Sequence, residues 1–220
     1  MPEFVTGRAG ALGAAAFGFC GKLPARGDFV SAGLPRRFVD PWHDWLQAVI
    51  AGSRDLLGEG WLPAWLEAPV WRFALPAGLC GPDGVLGLWL PSVDRAGRHF
   101  PLTVAAVTTG ADLDELTDAG IGFLERAEAA GIAALERDLV PEELSALLAE
   151  PAARNPAANA ACDGVHRPRL VRSAGAAAWW SAGSPRVPAG AFTGATLPDA
   201  AVFARMLDSG AAGAPPGAGR

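Results

Sequence analysis

The sequence predicts an α/β fold, a single-domain sandwich with a central, largely antiparallel or mixed sheet flanked by helices. Three observations lead to it. The stretches VWRFALP (70–76), VLGLWLP (85–91) and FPLTVAAVT (100–108) are apolar, short and separated by turn-forming segments, so they read as consecutive antiparallel strands. Segments with apolar residues at helical spacing precede and follow them. Half of the 220 residues are hydrophobic and 8 are Trp, against 19% charged, so there is enough apolar surface to offset the ordering entropy of most of the chain.

Taken in order, residues 1–16 are small and uncommitted and are expected to form a flexible N-terminus, followed by one α/β domain over 17–208. The Gly/Ala/Pro-rich tail 209–220 has nothing to bury and is expected to be disordered. VDPWHDWLQAVIAG (39–52) is a helix: Asp40 can cap it, Pro41 suits its first turn, and Trp42, Trp45, Leu46, Val49 and Ile50 share a face. WLPAWLEAP (61–69) reads as a short helical turn or loop. In the first strand Trp71, Phe73 and Leu75 alternate with Arg72 and Ala74, and CGPDG (80–84) supplies the turn to the second. After Asp112 the helical period returns with Leu113, Leu116, Ile121, Phe123 and Leu124, and Pro141 opens a second helix, EELSALLAE. Residues 155–168 form a Pro/Asn/Ala-rich connection of the mobile-loop kind. RLVRS (169–173), AAAWWSAG (176–183) and residues 187–192 are extended, and LPDAAVFARML (197–207) closes as an amphipathic helix. No repeat period is present.

Composition excludes several function classes. The net charge of −5 and pI near 5.2 leave no broad electrostatic footprint for nucleic acid. No run approaches the roughly 20 consecutive apolar residues of a membrane span, so no membrane insertion is expected. The Ala/Gly-rich stretch before Cys20 is a poor secretory signal, with aromatic residues where small ones belong. Cys20, Cys80 and Cys162 show no CxxC pairing and no His at ligand spacing, which fits a reducing cytoplasm. The acidic groups DLDEL, ERAEAA and PEEL read as helix starts and solvated faces, with no metal-ligand set among them. No cofactor or metal is expected.

Two charged segments stand out. CGKLPARGDFV (20–30) carries the sole lysine, Lys22, with Arg26 and Asp28. LPSVDRAGRHFPL (90–102) sets Ser92, Asp94, Arg95, Arg98 and His99 between two apolar strands. The first is no nucleotide loop, since Leu23 and Pro24 stand where the phosphate loop needs a hydroxyl and a helix start, and its Arg-Gly-Asp tripeptide is coincidental. The second offers Ser92, Asp94 and His99 for a hydrolase, yet it lacks a nucleophile elbow. His43, His99 and His166 each read better as core-edge or surface residues than as bases. Trp42, Trp45, Trp71 and Trp89 are placed for the core. Trp179 and Trp180 are adjacent in a strand and must face opposite sides of the sheet, so either helices cover both sides or one Trp is exposed to a partner.

GFCGKLPARGDFVSAGLPRRFVDPWHDWLQ, PVWRFALPAG, PSVDRAGRHFPLTV, AAWWSAG and LPDAAVFARML, in this order over residues 17–207, together resemble TagF, an accessory family of bacterial type VI secretion systems. The segment 110–171 adds little to the likeness. Cys20 stands where an aromatic residue is expected, and AAAWW replaces a more polar approach to the Trp pair. The resemblance implies an α/β sandwich and a cytoplasmic, non-enzymatic regulator. Such a regulator represses secretion post-translationally by binding the forkhead-associated scaffold Fha, beside a PPM-type phosphatase and a serine/threonine kinase. A positive assembly factor of the same system and, further off, a hydrolase are the alternatives. The family pattern puts Lys22, Arg26 and Asp28 in a loop between the first strand and first helix, and Asp94, Arg95 and Arg98 at a turn between sheet strands. Two readings follow. In one, the segments lock together, Asp28 with an Arg and Asp94 with Arg26 or Lys22, because charges flanked by apolar strands need partners when buried. In the other, Arg26, Arg95 and Arg98 form a docking patch for an acidic or phosphorylated partner; an unrelated solvated surface is the third reading.

Overall fold

The structure, a computed structural model, describes residues 16–108, 113–150 and 175–211. Along the chain run β1 (Ala16–Gly21), β2 (Val30–Ala32), α1 (Arg36–Leu57), α2 (Trp61–Leu66), β3 (Trp71–Leu75), β4 (Gly84–Leu90) and β5 (Leu102–Thr108). Then come α3 (Leu113–Glu136), α4 (Pro141–Ala149), β6 (Ala177–Ser181), β7 (Gly190–Gly194) and α5 (Ala200–Leu207). The strands form one sheet in the order β2-β1-β5-β4-β3-β6-β7, and every pairing is antiparallel. The three-strand meander is its centre. The expected strand RLVRS, the connection 155–168 and residues 1–15 lie outside the described residues.

Helices pack on both faces. Alternate strand residues Trp71, Phe73, Leu75, Val85, Trp89, Val107 and Trp179 join Trp42, Leu46, Trp65 and Phe203 in one core. Their neighbours Ala74, Leu86, Leu88, Leu90, Val104 and Trp180 join Phe123, Leu124, Ala127 and Leu144 in a second. The small residues Ala127, Ala130 and Ala134, all buried on α3, let that helix lie close to the sheet. Every residue of β3, β4, β5 and β6 is therefore buried. This corrects the prospect of an exposed aromatic at the Trp pair: Trp179 is 0% and Trp180 3% exposed.

α1 begins at Arg36, with Pro35 at its N-cap, so Pro41 lies inside the helix and Asp40 is not its cap. The earlier start adds Phe38 and Val39 to the buried stripe of Trp42, Leu46, Val49 and Ile50. Burying two such side chains, at about 1.5–3 kcal/mol each, offsets the roughly 3 kcal/mol cost of an interior proline. β2, only three residues long, gave no sequence signal. At the other end Asp199 caps α5, accepting from Val202 N at 2.8 Å. The first residues of the expected disordered tail, Ser209–Ala211, instead make a 3-10 turn. Ser209 donates to the Arg186 carbonyl from its backbone N–H at 3.1 Å and from its hydroxyl at 2.7 Å. Among the described residues no helix is long and apolar enough to cross a membrane.

Candidate functional site

The two charged segments meet at one end of the sheet. β1 pairs with β5 so that Gly21 faces Leu102, which sets the loop after β1 beside the loop before β5. Gly21 has φ +134°, and a Cβ there would stand 2.0 Å from the Pro101 carbonyl oxygen; only glycine permits that approach. The segment between β4 and β5 folds back on itself through a bridge between Val93 and His99. Its tight turn closes with Gly97 N donating to Asp94 O at 2.9 Å, and Gly97 has φ +80°.

Asp94 is the hub. Its Oδ2 accepts from Lys22 Nζ at 2.6 Å and from Arg98 Nε at 2.7 Å, and its Oδ1 accepts from the backbone N–H groups of Ala96 and Arg98, each at 2.9 Å. Burial by itself would raise the Asp94 carboxyl, but the Lys22 ammonium, the Arg98 backbone and guanidinium and the Ala96 N–H overcome it. They hold the group well below the usual carboxylate range. Backbone contacts fasten the same two loops: Ser92 Oγ donates to Lys22 O at 2.7 Å, Arg95 N to Arg26 O at 2.9 Å, and Arg98 Nη2 to Gly27 O. From below, Trp65 Nε1 reaches Ser92 O at 3.3 Å. His99 lies edge-on to Trp61 and Trp65 at 5.7 and 6.3 Å. Burial, then the Arg54 charge, then Lys22 against the opposing pull of Asp94, push its pKa down.

The structure thus brings Lys22, Ser92, Asp94 and Arg98 together and leaves the others at the rim. Asp94 takes Lys22, not Arg26, because Lys22 lies half-buried at the strand end beside it. Arg26 is turned outward toward Glu142 of α4 at 3.5 Å, with both side chains exposed. Asp28 is exposed and makes no ion pair with an arginine among the described residues. Arg95 is exposed, and Arg98 is 60% exposed at its side chain despite its bond to Asp94. No hydrogen bond links Ser92, Asp94 and His99, whose polar atoms face different partners. His43 packs on Phe29 and Phe100 at 4.9 and 5.3 Å, and His166 lies outside the described residues. Among the described residues no group of three or more His, Cys, Asp or Glu could hold a metal ion. Sequence reasoning missed the Arg98 contact to Gly27 O and the part of Glu142, both of which depend on loop geometry that carries no periodic signal. It also missed the ion pair of Arg72 with Glu128, which an arginine in an otherwise apolar strand should have suggested.

A single antiparallel sheet covered by helices on both faces, with two loops locked around a buried carboxylate at one end, defines the class: an α/β sandwich with a rigid loop platform. Residues 18–150, more than half the chain, match the family described as TagF N-terminal domain, type VI secretion system-associated, and the chain belongs to that family. Among solved structures it is similar to PA0076 from Pseudomonas aeruginosa PAO1, a crystal structure at 2.05 Å resolution, with 38% identity and a TM-score of 0.75. That match covers 93% of this chain and 99% of the other. No curated protein matches the chain.

Proposed function

We propose that the protein is a cytoplasmic, non-enzymatic repressor that holds a type VI secretion system inactive after its components are made, by binding the forkhead-associated scaffold Fha. One observation carries the docking site: two loops fastened to each other by Lys22–Asp94 and three backbone-accepting contacts display Arg26, Arg95 and Arg98 on their outer side. Arg95 N donates to Arg26 O, so two exposed guanidinium groups spring from touching backbones. Their planar forks suit carboxylates and phosphates. The Arg26–Glu142 pair, exposed on both sides, is worth little and yields to a better acceptor. A partner handled by a serine/threonine kinase and a PPM-type phosphatase offers such acceptors. The hydrolase reading is disfavoured because Ser92 Oγ donates to Lys22 O and has no base beside it.

Calorimetric titration against the Fha scaffold of the same cluster, phosphorylated and unphosphorylated, tests the proposal. Micromolar or tighter binding, about −8 kcal/mol or better, is expected, reduced at least tenfold by Arg26→Ala with Arg95→Ala at an unchanged melting temperature. Absence of binding in both states would refute it. The sign of regulation is read from secretion after gene deletion, which rises for a repressor and falls for an assembly factor.

A further inference from the structure

We propose that Arg72, Trp180 and Glu128 hold one buried water molecule between the sheet and α3. Arg72 of β3 and Trp180 of β6 are direct cross-strand partners, so their side chains stand together on the α3 face. They are 2% and 3% exposed. Arg72 Nη2 donates to Glu128 Oε2 of α3, whereas Arg72 Nη1 and Trp180 Nε1, both buried, meet no acceptor among the described residues. Two buried donors on paired residues of adjacent strands, both without an acceptor, call for an oxygen that serves them, since a buried N–H left unmade is costly.

The occupant is neutral. The Arg72 charge is already matched by Glu128, so an anion would bury an unmatched negative charge. Water accepts from both donors and donates one hydrogen to the Glu128 carboxylate, which falls within the two to four polar partners that hold buried water. The Glu128 side chain is 23% exposed, which leaves a route of exchange with solvent. Two other buried indoles, Trp89 and Trp179, also have Nε1 without an acceptor, but their surroundings differ. Trp89 stacks on Phe203 at 5.4 Å, and Trp179 sits among Trp42, Phe73 and Phe192 at 5.4–6.2 Å. They lie in aromatic stacks with no charged side chain in register beside them, whereas Trp180 has no aromatic partner among the described residues and pairs across the strands with Arg72.

The test is nuclear magnetic resonance on the isotope-labelled full chain with sequentially assigned indoles, recording magnetisation transfer from water to each indole N–H in the laboratory and rotating frames. Trp180 is expected to show a water cross-peak of opposite sign in the two experiments, which marks a water tumbling with the protein and separates it from hydrogen exchange. Trp89 and Trp179 are expected to show none. A silent Trp180, or equal peaks at all three, overturns the proposal. A crystal structure of the same chain provides an independent check: an ordered water within hydrogen-bond distance of Arg72 Nη1 and Trp180 Nε1 supports it, and a protein acceptor in that place overturns it.

Discussion

Replacing Asp94 by Asn keeps the shape of the turn and removes its charge. The Asn carbonyl can still accept from Ala96 N and Arg98 N, as Oδ1 does now. What is lost is the negative charge opposite Lys22, whose side chain is 14% exposed against 0% for Asp94. Arg98, at 60% exposure, regains water and contributes little to the loss. Breaking a buried pair by removing one partner costs about 3–5 kcal/mol, and the low end applies because Lys22 keeps an opening to solvent. A loss of about 3 kcal/mol in a chain of this size lowers the melting temperature by about 6–12 °C. The pH profile supplies a second signature. The Asp94 carboxyl is depressed in the folded state, so its contribution is complete above the ordinary carboxylate value of about 4 and fades as pH falls below it toward the folded value. Wild type and Asp94→Asn, melted side by side by tryptophan fluorescence, should differ most at pH 5–7 and converge as the pH drops below about 4. A difference under about 1 kcal/mol at neutral pH, or one that ignores pH, would refute the account of Asp94 as the hub of a buried lock.

Two further outcomes follow from packing and burial. A Cβ on Gly52 of α1 would lie 2.5 Å from Ala200 Cβ of α5, so Gly52→Ala should lose about 1–3 kcal/mol by overpacking despite the better helix propensity of alanine; adding Ala200→Gly should recover most of it, and a stabilised single variant would contradict the helix contact. Burial pushes the Cys20 and Cys80 thiols up to about 12, with the neighbouring Cys80 adding to the effect on Cys20, so in a Cys162→Ser background a thiol reagent should titrate no thiol in the native protein and two in denaturant; rapid native labelling would count against the buried placement.

Much of the fold is legible because its signals are periodic. Trp71, Phe73 and Leu75 at spacing two, and Trp42, Leu46, Val49 and Ile50 at helical spacing, place β3 and α1 without any knowledge of their partners. The start of α1 is misplaced by sequence because Pro41 is a good first-turn residue in isolation, and only the burial of Phe38 and Val39 beneath the helix shifts the boundary upstream. The Trp pair has two answers in sequence, since alternation sends the rings to opposite faces but says nothing of what covers each face. At the site, the residues Lys22, Ser92, Asp94 and Arg98 stand out by charge type amid apolar strands, whereas their pairing does not. Arg26 and Lys22 are equal candidates for Asp94 until the loop after β1 is folded, with Lys22 on Asp94 and Arg26 outward toward Glu142.

That division between inward and outward charge connects stability to the proposed docking. Association loses affinity to the ordering of loops and long side chains at the interface. Here the backbone share of that loss falls on folding instead, through Lys22–Asp94, Ser92–Lys22 O and Arg98–Gly27 O. Arg95 and Arg26 then present their guanidinium groups from a platform that is already fixed, and only their side chains remain to be ordered. The lone lysine thus has a physical role: its compact ammonium, half-buried, shares Asp94 Oδ2 with Arg98 Nε and leaves Oδ1 to the backbone N–H groups of Ala96 and Arg98. Arg26 and Arg95 sit where their forks can face outward, and the lysine sits where a point charge meets an enclosed carboxylate.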